Sequence, residues 1–207
     1  MKTSIERWRE SDGDNTYAID WDLNEDSHVW EIGGFEGRWA QQIWDKFHFY
    51  ITIFEPQLWA VEKLEKRFEG INKIGIRDYG LWVEKGNKVI SNYFTDGASI
   101  TRFDASTEHG EGEFRGINSE LHNFKVLNSV SQIDLCLMNI EGGEFSLMPY
   151  LSVHNQMVNF NNFWCQFHPG RHDEKTYYPI KTIYELMEKT HDLSWDFFPT
   201  AVAWRRK

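Results

Sequence analysis

The chain has 207 residues, a formal net charge of −10, 41% apolar and 26% charged side chains. That length fits one domain with its own core, and a net negative chain whose basic run is confined to Arg205-Arg206-Lys207 lacks the clustered cations that duplex nucleic acid requires. No apolar run is long enough to span a bilayer, and the polar start MKTSIERWRESDGDN has no signal-peptide core, so a cytoplasmic protein is expected.

Residues 1–16 read as irregular, and 17–23 (YAIDWDL) alternates weakly, as a short strand or a covering segment. The first strand is 28–32 (HVWEI). Gly33, Gly34 and Gly37 follow, a turn that side chains would obstruct. The spacing of Trp39, Ile43 and Phe47 predicts a helix over about 36–47 with these three on its buried face. Residues 49–54 (FYITIF) form a continuous β-branched and aromatic run, the pattern of a strand covered on both faces. Pro56 then opens a helix over 57–68, with Leu58, Val61, Leu64 and Phe68 inward, and 72–77 is a third strand. Two successive strand–helix steps with short connections predict a mainly parallel α/β sheet.

The pattern then changes. Residues 81–83 and 88–90 flank EKGN and predict a hairpin. Residues 94–116, rich in Gly, Ser, Thr and Asp, read as a mobile loop beside the active edge. A helix over 120–129 precedes a second doubly buried strand, 133–140 (IDLCLMNI), and the turn Glu141-Gly142-Gly143-Glu144. A helix over 145–153 contains Pro149. Strand 162–167 ends at His168-Pro169-Gly170, an amphipathic helix spans 180–190, and 195–198 with 201–204 predict a terminal antiparallel hairpin. Cys136 and Cys165 lie in buried strands without metal-ligand spacing and read as reduced core thiols. No repeat or internal boundary divides 1–207.

Three constellations carry chemistry. In the first, Glu31-x-Gly33 opens a turn in which Phe35 stands at the third position of the dinucleotide fingerprint G-x-G-x-x-G, where a glycine is required. An acid two residues before the glycine suits instead a nucleoside bearing a charged amino-acid group. Glu55, closing the second strand, offers two oxygens to a pair of ribose hydroxyls. Asp78, after the third strand, is placed to meet an adenine amino group. The second constellation is Asn139-Ile140-Glu141-Gly142-Gly143-Glu144, whose carboxylates can orient a hydroxyl, act as general base, or hold a divalent cation. Glu144 reads equally as a first-turn helix residue favoured by the dipole. The third is His168 at the end of a buried strand, a general base, metal ligand or structural residue. Glu141, Glu144 and His168 are thus the catalytic candidates and also the candidate cation ligands. His154 and His172 rank below them, and Phe94 and Phe103 offer rings that can stack on a sugar.

The series VWEIGGFEG, IFEP, IDLCLMNIEGGE, WCQFHP and AVAWRRK, over residues 17–207, resembles the FkbM-type methyltransferases. The resemblance implies a Rossmann-like, seven-stranded, mostly parallel sheet with helices on both faces and a C-terminal antiparallel hairpin. It implies S-adenosyl-L-methionine held by Glu31, Gly33, Gly34, Gly37 and Glu55, and methyl transfer to a hydroxyl of a sugar, glycan or related small molecule. This chain departs from the family pattern at Asn139, where the family carries an acid; asparagine is counted here with the cofactor-facing residues, and the role of base falls to His168, Glu141 or Glu144. Two other readings are a nicotinamide-dependent sugar-modifying oxidoreductase and a non-catalytic binding module.

Overall fold

A computed structural model describes residues 2–102, 104–170 and 179–207. The elements run α1 (Ser4–Glu10), β1 (His28–Ile32), α2 (Arg38–Phe47), β2 (Tyr50–Phe54), α3 (Leu58–Arg67), β3 (Ile74–Arg77), β4 (Gly80–Trp82), β5 (Gly86–Ser91), β6 (His109–Gly116), α4 (Ile117–Asn128), β7 (Ile133–Met138), α5 (Glu144–Val153), β8 (Phe160–Cys165), α6 (Ile180–Met187), β9 (His191–Phe197) and β10 (Ala201–Arg206). Seven strands form the main sheet in the order β3-β2-β1-β7-β8-β10-β9. β3, β2, β1, β7 and β8 are parallel, and β10 pairs antiparallel with both β8 and β9.

The apolar strands bury both faces. Along β1, Trp30 and Ile32 enter one core with Phe145 of α5, Leu121 of α4 and Met187 of α6. Val29 enters the other, with Ile43 of α2 and Leu64 of α3. Side chains alternate across a strand, so a strand covered by helices on both faces reads as an unbroken apolar run. Chain order reverses at β1, which lies between β2 and β7. The crevice beyond the carboxyl ends of these strands is where α/β sheets bind ligands.

Three expectations are corrected. The N-terminal stretch is not irregular throughout: Thr3 and Glu6 form a reciprocal cap that starts α1, and Trp8 packs its ring against Trp195 and Phe197 of β9. Residues 17–23 form no strand; the carbonyl of Ala18 instead accepts the indole N–H groups of Trp21 and Trp39, at 2.9 and 3.0 Å. Second, β4 and β5 do not form a hairpin. β6 lies between them, parallel to β4 and antiparallel to β5. Third, residues 109–116 are therefore a central strand and not loop. Its glycines make this possible, because a Cβ on Gly110 would strike the Tyr93 ring at 2.3 Å and one on Gly112 would meet Ile90 and Pro56 at 2.9 Å. On α2 the fully buried residues are Ala40 and Ile43, with Trp39 and Phe47 packed at the margin.

Gly37 caps α2 at φ +73°, and a Cβ there would lie 2.7 Å from both Leu64 and Phe68 of the α3 segment. Replacing it with alanine adds left-handed strain to overpacking, for a loss of about 2–4 kcal/mol. Urea unfolding of Gly37→Ala should show a lower midpoint at unchanged slope; an unaltered midpoint would contradict this packing.

Candidate cofactor and catalytic site

The end of β1 is wedged between its neighbours. The amides of Gly33 and Gly34 both donate to the Phe54 carbonyl, at 3.0 and 3.3 Å. Gly33 has φ +87°, and a Cβ there would lie 2.0 Å from the Asn139 carbonyl oxygen; one on Gly34 would lie 2.1 Å from Ile53. Bare backbone thus lets the turn pass between β2 and β7 and leaves a cavity on each side. One, of about 130 Å³, is lined by Glu55, Asn139 and Glu141 with Trp82 and Phe114. The other, of about 390 Å³, is lined by Glu31, Gly34, Asn139, Trp164 and Gln166. They share Gly33, Phe35 and Asn139, so together they form one bipartite groove along the sheet edge.

The electrostatics of this groove are unusual. Glu31 and Glu55 are each only 3% exposed. Glu31 Oε2 and Asn139 Oδ1 are buried without a hydrogen-bond partner among the described residues. Burial raises the Glu31 carboxyl well above the ordinary carboxylate range, and the nearby Glu55 adds to this. Glu55 accepts the Phe35 amide at 2.7 Å and the Gln57 amide at 2.9 Å. Burial nevertheless pushes it up to about 7, the two amide bonds offsetting only part of the desolvation. Among the described residues neither carboxylate forms an ion pair. Two buried acids without a cation form a costly arrangement that a cationic ligand would relieve.

Beside the smaller cavity lies a carboxylate–imidazole–carboxylate chain. His168 Nε2 is 3.0 Å from Glu141 Oε1, and its Nδ1 is 3.2 Å from Glu144 Oε1. Glu144 is fully buried and also accepts the His168 amide at 2.6 Å and the Gly142 amide at 2.9 Å. Burial works against a charged imidazole, but the bonds to Glu141 and Glu144 outweigh it and raise His168 to about 9. Glu141 sits at φ +52°, an uncommon conformation for a side chain of this size.

The remaining sequence candidates separate. Gly37 serves helix packing and lines neither cavity; Asp78 is exposed and lines neither. His154 is exposed, and its ring lies tilted at 45° against Tyr150 with centroids 4.3 Å apart. His172 and Phe103 lie outside the described residues. Asp96, Gln57 and Trp82 line the smaller cavity although no motif announces them. Both ring nitrogens of His168 are already engaged by carboxylates, and among the described residues no group of three or more His, Cys, Asp or Glu side chains is arranged to hold a metal ion. Cys136 and Cys165 are free and buried. No described helix is long and apolar enough to cross a membrane.

No protein-family model matches the chain, and no curated protein matches it in sequence. Among solved structures it is similar to the Methanococcus jannaschii fibrillarin pre-rRNA processing protein, with a TM-score of 0.53 and 10% identity over 93% of this chain and 75% of that one. It is similar to an rRNA methylase from Streptococcus thermophilus at a TM-score of 0.50 and 10% identity, over 100% and 98%. A ribosomal protein L11 methylase from Lactobacillus delbrueckii subsp. bulgaricus gives 0.50 and 12%, over 96% and 79%. The α/β architecture is therefore the Rossmann-like fold of methyltransferases, with its terminal antiparallel hairpin.

His168 should remain protonated through neutral pH and titrate near 9 in an imidazole NMR titration. Because this lies above the usual 6.5, the pairing stabilises fully below pH 6.5 and is lost as pH rises through about 9. Glu144→Gln should lower the midpoint; titration of the intact chain near 6.5 would contradict the paired arrangement.

Proposed function

We propose that the chain is an S-adenosyl-L-methionine-dependent methyltransferase, of the FkbM-like type, acting on a hydroxyl of a sugar, glycan or related small molecule. The observation that carries this reading is the pair of buried carboxylates, Glu31 and Glu55, set without a cation at the two parts of one groove. A ligand that fits must bring positive charge to Glu31 and hydrogen-bond donors to Glu55. An amino-acid-bearing nucleoside does both, and Asn139, with its unpartnered Oδ1, lies where the two parts meet.

When bound, S-adenosyl-L-methionine supplies an electrophilic sulfonium methyl. Glu31 would neutralise its ammonium and Glu55 would accept from its ribose hydroxyls. Gly33 and Gly34 let backbone approach closely. The chain's remaining work is to position a hydroxyl and take its proton. An imidazole that keeps its proton at neutral pH does not accept another, so the base is assigned to Glu141, and His168 orients that carboxylate from Nε2. Glu144 in turn fixes His168. No divalent cation is invoked.

The acceptor class is supported by the resemblance and by charge. Two of the compared structures are named as methylases of rRNA and of a ribosomal protein. A polyanion is disfavoured here by a net charge of −10 without a basic cluster. Isothermal titration should show S-adenosylhomocysteine binding that Glu55→Ala weakens by roughly 10–100-fold. With a glycan acceptor, Glu141→Gln should lower turnover by about 10²–10⁴-fold at nearly unchanged cofactor affinity. Absence of binding to the intact chain, or wild-type turnover in Glu141→Gln, would overturn the respective assignment.

A further inference from the structure

On the α4 side of the main sheet, β2 and β3 carry a trough that the proposed reaction leaves unused. It holds about 350 Å³ and shares only Phe54 with the two cavities of the cofactor groove. The pairing register explains its shape. Trp30, Thr52 and Gly75 lie side by side across β1, β2 and β3, so side-chain bulk falls away toward the edge of the sheet. Gly75 does not serve packing. A Cβ on Gly80 or Gly110 would strike a ring at 2.3 Å, whereas one on Gly75 would find its nearest neighbour, Arg77 Nη1, at 3.7 Å. A strand glycine can mark a place where another molecule approaches the backbone.

Positive charge gathers around this bare floor. Lys73 and Arg77, two residues to either side of Gly75, both line the trough, and Arg115 reaches it from β6. Among the described residues neither Lys73 nor Arg77 pairs with a carboxylate. Lys73 Nζ donates to the carbonyls of Glu25 and His48, at 2.8 and 3.2 Å, and Arg77 to that of Ile76, at 3.4 Å. Arg115 gives its Nε to Glu113 at 3.0 Å and lays its guanidinium over the Tyr79 ring at 3.8 Å. Glu120, the acid among the described lining residues, accepts the Tyr79 hydroxyl at 2.9 Å. Three cations thus face one carboxylate in a chain whose net charge is −10.

We propose that this trough binds a sugar unit carrying one anionic group, a carboxylate, sulfate or phosphate. Guanidinium and ammonium groups only donate, so they select an anion. The side-chain amides of Asn72 and Asn123 line the trough and make no hydrogen bond among the described residues. An amide both donates and accepts, as sugar hydroxyls do. A volume of about 350 Å³ lies at the small end of ligand pockets and suits one sugar ring. The site stands apart from the cofactor groove, and its test needs no cofactor.

That test is isothermal titration of the full chain with glucuronate, glucose 6-sulfate, glucose 6-phosphate and uncharged glucose. At least one charged sugar should bind about tenfold or more tightly than glucose, and equally more tightly than its free anion, acetate, sulfate or phosphate. Arg77→Gln should weaken that sugar by about tenfold or more. Gly75→Val fills the floor without a clash at its Cβ, so it should abolish sugar binding at an unchanged or higher melting temperature. Equal affinity for the charged sugar and the free anion would overturn the assignment of a sugar. No binding by the intact chain, or unchanged affinity in both variants, would overturn the site. S-adenosylhomocysteine should bind both variants as it binds the intact chain; its failure to bind any of them would overturn the cofactor reading alone.

Discussion

The fully buried carboxylate of Glu144 holds the functional edge of this molecule together. It accepts the Gly142 amide, the His168 amide and the His168 ring. One side chain thereby joins the turn after β7, the first turn of α5 and the end of β8. A buried anion without such partners would cost several kcal/mol. With them it becomes a fixed point, from which His168 reaches back to Glu141. The strained conformation of Glu141 is tolerated because both flanks of the turn are tied down.

The groove beside it follows the opposite logic. Glu31 and Glu55 are buried as deeply as core residues, yet no cation among the described residues meets them. For Glu55, a carboxyl raised to about 7 means that the folded chain holds this proton more tightly than the unfolded chain does. Its favourable linkage is complete below the usual 4.5 and is lost as pH rises through about 7. At neutral pH the fold therefore carries electrostatic tension at the site where the proposed cofactor would bring charge and donors. Such unmet desolvation is a common mark of binding sites.

The three-stranded sheet formed by β4, β6 and β5 is the most individual part of the fold. It is inserted between β3 and α4 and closes over the sheet edge. Its packing depends on glycines facing rings: Gly80 lies under Phe114 and Gly110 under Tyr93. Through Gln57 and Ser99 this insertion is coupled to both the end of β2 and the turn that carries Glu141.

The centre of the main sheet was legible in the sequence because β1, β7 and β8 are buried on both faces over most of their length, and residues 135–138 (LCLM) carry that coverage as an unbroken apolar run. The glycine turn, Glu55 and the Glu141–Glu144 turn were legible as positions at strand ends, and a parallel sheet places such ends on one edge. The strand HGEGEFRG was not legible. Its alternating glycines bury no side chains of their own; they receive rings from Tyr93 and other residues, so local composition resembles a loop. The α1 cap T-x-x-E was present as a pattern, but its value depends on Trp8 finding β9 at the far end of the chain. The placement of Asp96 in the smaller cavity, and the exclusion of Asp78 from it, followed from tertiary structure alone. Local burial and periodicity fix what each segment is, whereas the partners that give a polar side chain its charge state and role are brought from distant segments by packing.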